Sequence, residues 1–251
     1  MIKPVKVRNL VIGEGVPKIC MPLVARNFEE LQEGMREALL LQPDLVEWRA
    51  DYYEGLTRRE IPGLLSSLRE KNEQPILFTF RSQEEGGARP LPKEQQLEWM
   101  LEAADAGVDL LDAELSLGEK AICPLLRHAH AYHLPVIVSN HHFEGTPSAE
   151  EMVDILCRQQ ACGADMAKLA VMPHSPADVL ALLEATLRMR EQFAEIPLIT
   201  MSMGALGFIS RISGGTFGSA MTFGAGKKSS APGQPEIGQL RALLQKMESV
   251  R

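Results

Sequence analysis

Lys168 lies in an apolar run where a charged side chain is out of place. Residues 163 to 173 read Gly-Ala-Asp-Met-Ala-Lys-Leu-Ala-Val-Met-Pro. An apolar stretch of this length between a glycine and a proline predicts a strand buried on both faces, as in a parallel sheet covered by helices. Period two puts Met166, Lys168, Ala170 and Met172 on one face and Ala167, Leu169 and Val171 on the other. An ammonium there must lose water, and desolvation disfavours the charged form of an amine. Part of it then becomes a nucleophile near neutral pH, which opens Schiff-base chemistry with a carbonyl substrate. Two quieter readings fit the same residue: it snorkels from a strand end, or it pairs with a buried carboxylate.

A Schiff-base lysine needs an acid/base nearby, and histidine is the side chain that titrates closest to neutrality. His141 and His142 end the apolar run that precedes the one holding Lys168. Strand alternation points them to opposite sides, so at most one of them faces the same substrate as Lys168. The pair could instead hold a metal or a strand-end hydrogen bond, but no third ligand stands at a recognisable spacing.

The elements that must position these groups recur as a unit. A short alternating stretch at residues 5 to 12, ending at Gly13 and Gly15, predicts a strand or hairpin ahead of the main fold. Strands are expected at 18 to 25, 45 to 51, 75 to 82, 110 to 116, 135 to 143, 165 to 172, 197 to 204 and 220 to 225. Helices are expected at 27 to 41, 57 to 71, 93 to 106, 118 to 133, 148 to 162, 176 to 193 and 236 to 249, with a short glycine-rich segment after the seventh strand. Asn27, Thr57 and Ser148 are the expected caps, Ser148 with Glu151 in a capping box. Eight strands alternating with helical segments predict a parallel sheet, and eight units in 251 residues fit a closed (β/α)8 TIM barrel, α/β in class, with a short N-terminal β-hairpin. No stretch is composed as a linker, so 1 to 251 is expected to be a single barrel domain.

Active sites of such barrels gather at the C-terminal ends of the strands, and the charges follow that rule. Glu47, Arg49 and Asp51 share one face of the second barrel strand; Arg81 and Ser82 end the third, before the polar loop Gln83-Glu84-Glu85-Gly86-Gly87. Asp112 and Glu114 share a face of the fourth. These positions would be Val, Ile and Leu in a merely structural barrel. Burying so many charges is costly unless they serve a ligand or one another, which strengthens the catalytic reading of Lys168.

Composition narrows the partners. Hydrophobic residues make up 45% and charged residues 24%, with a net charge of -7. No basic tract suggests nucleic acid or an anionic membrane. Lys3, Pro4 and Lys6 interrupt the start of the chain before an apolar stretch develops, so neither a signal peptide nor a membrane span is expected, and the cytoplasm is the expected compartment. Cys20, Cys123, Cys157 and Cys162 form no CxxC pair and are read as reduced structural thiols.

Several separated blocks together resemble one family. They are Glu47-Trp48-Arg49, Phe78-Thr79-Phe80-Arg81-Ser82 with Glu85-Gly86-Gly87, Ser139-Asn140-His141, Lys168-Leu169-Ala170-Val171-Met172-Pro173, Ile209-Ser210-Arg211 and Ser229-Ser230-Ala231-Pro232-Gly233-Gln234. In this order, over residues 47 to 234, they resemble the type I 3-dehydroquinate dehydratases, the Schiff-base form of the third shikimate-pathway enzyme. The resemblance implies dehydration of 3-dehydroquinate to 3-dehydroshikimate, with Lys168 forming the iminium, His141 as general base and acid, and Glu85 orienting that histidine. It implies that Arg211 holds the substrate carboxylate, and that Glu47, Arg49, Arg81, Ser230 and Gln234 contact the ring hydroxyls and order a closing loop. No cofactor and no metal are called for, and a homodimer is implied. One position departs from the pattern: an aspartate usually follows the catalytic histidine, and here it is His142.

Residues 226 to 235 lie where a barrel places its last loop. Gly226-Lys227-Lys228-Ser229 lacks the spacing and order of a phosphate loop, so nucleotide binding is not expected. The segment is read as a lid that brings Gln234 to the substrate, or as a plain surface loop. Two other functions fit parts of the same pattern. A class I aldolase or transaldolase also carries a Schiff-base lysine on the sixth strand of a barrel, and a non-catalytic barrel could bind a small acid or a partner protein. The Arg211, Gln234 and Glu85 blocks favour dehydration over the first. A buried amine beside an acid/base argues against the second.

Overall fold

The computed structural model describes residues 2–70 and 72–249. The N-terminal hairpin pairs β1 (Val5–Val7) with β2 (Leu10–Ile12) antiparallel. The barrel strands are β3 (Lys18–Leu23), β4 (Leu45–Arg49), β5 (Ile76–Thr79), β6 (Leu110–Glu114), β7 (Val136–His142), β8 (Met166–Val171), β9 (Leu198–Ser202) and β10 (Met221–Phe223). They run parallel in the order β10-β3-β4-β5-β6-β7-β8-β9. A further parallel bridge, Leu198 to Ser219, joins β9 to the approach of β10 and brings the sheet round on itself. The chain is therefore a (β/α)8 barrel with a separate N-terminal hairpin, as the repeating pattern predicts.

The helices are α1 (Phe28–Leu41), α2 (Ile61–Arg69), α3 (Lys93–Asp105), α4 (Glu119–Ala131), α5 (Ala149–Ala161), α6 (Pro176–Arg188), α7 (Phe208–Phe217) and α8 (Ile237–Glu248). Asn27 Oδ1 accepts from the Glu30 amide, and Ser148 with Glu151 forms the expected capping box. One helix begins later than expected. The helix expected from residue 57 begins at Ile61 after a single 3-10 turn, because Pro62 fits only the first turn of a helix. The glycine-rich segment after the seventh strand is the ten-residue helix α7. Its glycines serve close packing: a Cβ at Gly215 would lie 2.5 Å from Pro17 Cγ, and one at Gly214 would lie 3.3 Å from Ser219 Cβ.

The interior of the barrel is layered in steps of two along each strand. At the N-terminal end Leu45, Leu77, Leu110, Ile137 and Met166 pack with Val7 and Ile12 of the hairpin, so β1 and β2 plug the bottom. One step up, the same strands present Glu47, Thr79, Asp112, Ser139 and Lys168, all buried. The outward positions, among them Val46, Trp48, Phe78, Ala113 and Val138, pack against the helices. Apolar burial therefore fixes the register, since a one-residue slip would turn the charges into the helical layer. The four cysteines are free, and burial, then the Glu47 carboxylate, push the Cys20 thiol up. Among the described residues no helix is long and apolar enough to cross a membrane.

Candidate active site

The middle of β8 delivers Lys168 into the barrel, 3% exposed. Its Nζ donates to Asp112 Oδ2 at 2.8 Å, stands 3.7 Å from Glu47 Oε1 and lies 4.7 Å from the centroid of the Phe223 ring. The carboxylate-pairing reading of this lysine is thus realised in the geometry, and it coexists with an amine facing a cavity. Asp112 is fixed by more than the lysine: Oδ1 accepts from Ser139 Oγ at 2.5 Å and from Arg81 Nη2 at 2.8 Å. Burial alone would raise the Asp112 carboxyl, but the Arg81 guanidinium, the Lys168 ammonium and His141 outweigh it and hold the group well below the usual carboxylate range.

His141 closes the inner face of β7. Its Nδ1 lies 2.9 Å from Glu85 Oε2. Burial first, then the charges of Arg81 and Lys168, hold the imidazole well below its ordinary value, so at neutral pH it is uncharged. When Glu85 is ionised its carboxylate can only accept, which then puts the ring proton on Nδ1 and leaves Nε2 as the basic nitrogen. His142 has the opposite facing. It is half-buried, its Nε2 has no hydrogen-bond partner among the described residues, and the acid that acts on it is Glu151 of α5.

Glu85 comes from a turn that only glycine permits. Ser82 caps a 3-10 turn over Gln83–Glu85, after which Gly86 takes φ 83°. A Cβ at Gly86 would lie 2.3 Å from the Phe143 ring, and one at Gly87 would lie 1.9 Å from the Arg81 carbonyl oxygen. The sharp return of the chain points the carboxylate at His141, with Ser116 Oγ donating to its Oε1 at 2.7 Å. Burial and the neighbouring Glu114 carboxylate push Glu85 up to about 7.

Arg49 and Arg81 are both saturated by acids. Arg49 donates from Nε and Nη2 to the two Asp51 oxygens, each at 2.8 Å, and Asp51 also accepts from the Ala88 amide. Asp51 does this from a 3-10 turn over Ala50–Tyr52, since β4 ends at Arg49 and not at the expected residue 51. Arg81 lies just beyond the end of β5, and its Nη1 donates to Glu114 Oε1 at 3.0 Å and to Ser139 Oγ at 2.9 Å. Arg211, on α7, is different. It is 2% exposed, donates to the Pro232 carbonyl at 3.1 Å and touches Met201 Sδ, and it pairs with no carboxylate among the described residues. Its Nε has no partner, and burial lowers the guanidinium to about 10.

The segment 226 to 235 folds over this end of the barrel. Gln234 Nε2 donates to Ser230 Oγ, the Ser230 amide returns a bond to Gln234 Oε1, and Arg49 Nη1 reaches the Ser230 carbonyl at 3.5 Å. Its start is tied to α1 by Lys228 to Glu30 at 2.7 Å and Lys227 to Glu33 at 3.3 Å. Beneath it lies a cavity whose empty space, open solvent included, is about 420 Å³. Lys168, His141, Glu85, Glu47, Arg49, Arg81, Ser230 and Gln234 line it together, with Phe143, Ala170, Met201, Met203 and Phe223 as the apolar wall. Of the nine residues singled out in the sequence, Arg211 alone does not line the cavity; it lies behind Met201 and the Pro232 carbonyl. Sequence reading placed Asp112 inside the barrel but did not connect it to Lys168, and it missed Ser116 and Phe223. Alternation gave the face of Asp112; the pairing itself depends on cross-strand geometry.

The chain matches one family over nearly its whole length. The family model described as type I 3-dehydroquinase matches residues 19–250. The 3-dehydroquinate dehydratase of Bacillus licheniformis is 46% identical over 253 residues, covering 97% of this chain and 97% of its own. That of Salmonella typhimurium is 44% identical, covering 97% of this chain and 98% of its own. A crystal structure of type I 3-dehydroquinate dehydratase from Clostridium difficile, with covalently modified comenic acid, superposes with a TM-score of 0.97 at 42% identity over all of both chains. The chain belongs to the type I 3-dehydroquinase family and is an enzyme of that type.

Proposed function

We propose that the protein dehydrates 3-dehydroquinate to 3-dehydroshikimate through a Schiff base on Lys168. The observation that carries the reading is one cavity lined by a buried amine, Lys168, and by a neutral imidazole, His141, backed by a buried carboxylate, Glu85. The substrate is a β-hydroxy ketone whose α-proton is too weakly acidic for a histidine to remove directly. Attack requires Lys168 Nζ to give up a proton first. Asp112, held well below the usual carboxylate range, is a poor acceptor, and the proton passes to water. The amine adds to the ketone carbon, a proton returns to the former carbonyl oxygen, that oxygen leaves as water, and the iminium nitrogen retains one positive charge. Asp112 and Glu47 favour that cation, and the Phe223 ring faces it.

The iminium is an electron sink, so His141 Nε2 can take the α-proton to give an enamine. The imidazolium then returns that proton to the departing β-hydroxyl, which leaves as water. Hydrolysis of the conjugated iminium frees the amine and the enone product. Arg211, a buried guanidinium without an acid of its own, is assigned to the substrate carboxylate, which would supply the missing anion once lid and substrate are in place. Glu47, Arg49, Arg81, Ser230 and Gln234 are assigned to the ring hydroxyls and to the order of the lid.

Gln234→Ala is expected to lower kcat/KM about five- to tenfold, the scale of one lost hydrogen bond plus a loosened lid. Unchanged steady-state constants would remove the lid from the mechanism. The family resemblance favours a homodimer working in the cytoplasm as one barrel domain, on the shikimate route. The activity itself is tested by following enone absorbance on adding 3-dehydroquinate, beside a panel of aldol substrates. Enone formation with no aldol cleavage supports dehydration; the reverse would make the protein an aldolase on the same lysine.

A further inference from the structure

Glu85 is the carboxylate that meets His141 Nδ1 at 2.9 Å, and two residues of the β6 end meet it with opposite effects. Ser116 follows β6 in a short turn held by the buried side chains of Leu115 and Leu117, and its carbonyl accepts from Lys93 Nζ at 2.6 Å. Its Oγ donates to Glu85 Oε1 at 2.7 Å, and the same oxygen lies 3.5 Å from Glu114 Oε2. A hydroxyl has one proton, and the shorter distance gives it to Glu85. Glu114, 1% exposed, is a second anion beside the first, tethered by Arg81 and by the Ser82 amide at 2.8 Å.

We propose that Ser116 and Glu114 are positioning residues that set, from opposite directions, the pH at which Glu85 becomes the anion that His141 needs. The remaining groups facing Glu85 are accounted for. Arg81 Nη1 lies 3.7 Å from Oε2 and favours the anion, Asn140 Nδ2 lies 3.4 Å from Oε1, Asp112 adds like charge, and His141 is the partner served. A donor to the carboxylate stabilises its charged form, whereas a neighbouring carboxylate opposes it. Ionised Glu85 accepts the Nδ1 proton and leaves Nε2 basic, so turnover should rise as pH rises through the Glu85 titration. Removing the Ser116 hydroxyl moves that rise to higher pH. Removing the Glu114 charge moves it to lower pH, and the Arg81 guanidinium so released pushes the same way.

This inference rests on reading His141 as the acid/base, and the experiment separates the two. The carboxyl carbons of glutamate-labelled protein are titrated by NMR, Glu85 being identified as the resonance lost in Glu85→Gln. Relative to wild type, Ser116→Ala is expected to raise the Glu85 midpoint by on the order of half to one pH unit, the scale of one hydrogen bond. Ser116→Thr keeps a hydroxyl and should restore it. Glu114→Gln should lower the midpoint. Loosening of the site would move both variants the same way, so opposite shifts are the signature. Midpoints that stay put, or move together, overturn the proposal. The acid limb of kcat is then measured on the same proteins. Opposite NMR shifts with an unmoved limb would keep the assignment of Ser116 and Glu114 and overturn the catalytic role of Glu85 and His141.

Discussion

Lys168→Ala is expected to remove turnover of 3-dehydroquinate by roughly 10⁴-fold or more, because among the described residues no other buried amine lines the cavity to replace the covalent step. The same change strips Asp112 of its 2.8 Å partner and Glu47 of its nearest cation. Breaking a buried pair this way costs about 3–5 kcal/mol, so the alanine protein should also melt at a lower temperature. Lys168→Arg separates the two effects. It keeps the charge between the carboxylates but cannot form an imine with a ketone, so it should recover most of the lost stability and none of the activity. Thermal unfolding read beside steady-state turnover checks both halves. An arginine protein that turns over substrate would show that the residue acts only as a charge.

His141→Ala is expected to lower turnover by about 10² to 10⁴, the usual worth of a positioned acid/base. It should do so without preventing the first bond from forming. The imidazole is uncharged at neutral pH under the influence of burial, Arg81 and Lys168, so its loss removes a base and leaves the cations in place. The alanine protein mixed with substrate should therefore accumulate the iminium, seen as a borohydride-stable mass increase, while enone appears slowly. A variant with neither adduct nor product would mean that His141 is needed to free the amine. Full turnover would assign the acid/base role elsewhere.

Much of the fold and site was legible because the barrel writes its layers in steps of two. Leu45, Glu47 and Arg49, or Met166, Lys168 and Ala170, pass from apolar floor to working layer along one strand face, and alternation alone assigns them. The opposite facing of His141 and His142 follows from the same rule. What alternation cannot give is which inward groups touch. Asp112 meets Lys168 because β6, β7 and β8 lie side by side, and Ser116 meets Glu85 because two loops from different strands converge. The glycine-rich segment after the seventh strand, one of the expected helical segments, is the helix α7, whose Gly214 and Gly215 admit Ser219 and Pro17. The position of Arg211 behind the lid likewise depends on that helix and could not be read without it.

The most direct test of the Schiff-base account is intact mass spectrometry of the wild-type protein after mixing with 3-dehydroquinate and borohydride, followed by peptide mapping. One stable adduct per chain, carried on Lys168, is expected. Folded protein that forms enone product yet carries no adduct, or carries it on another lysine, would contradict it.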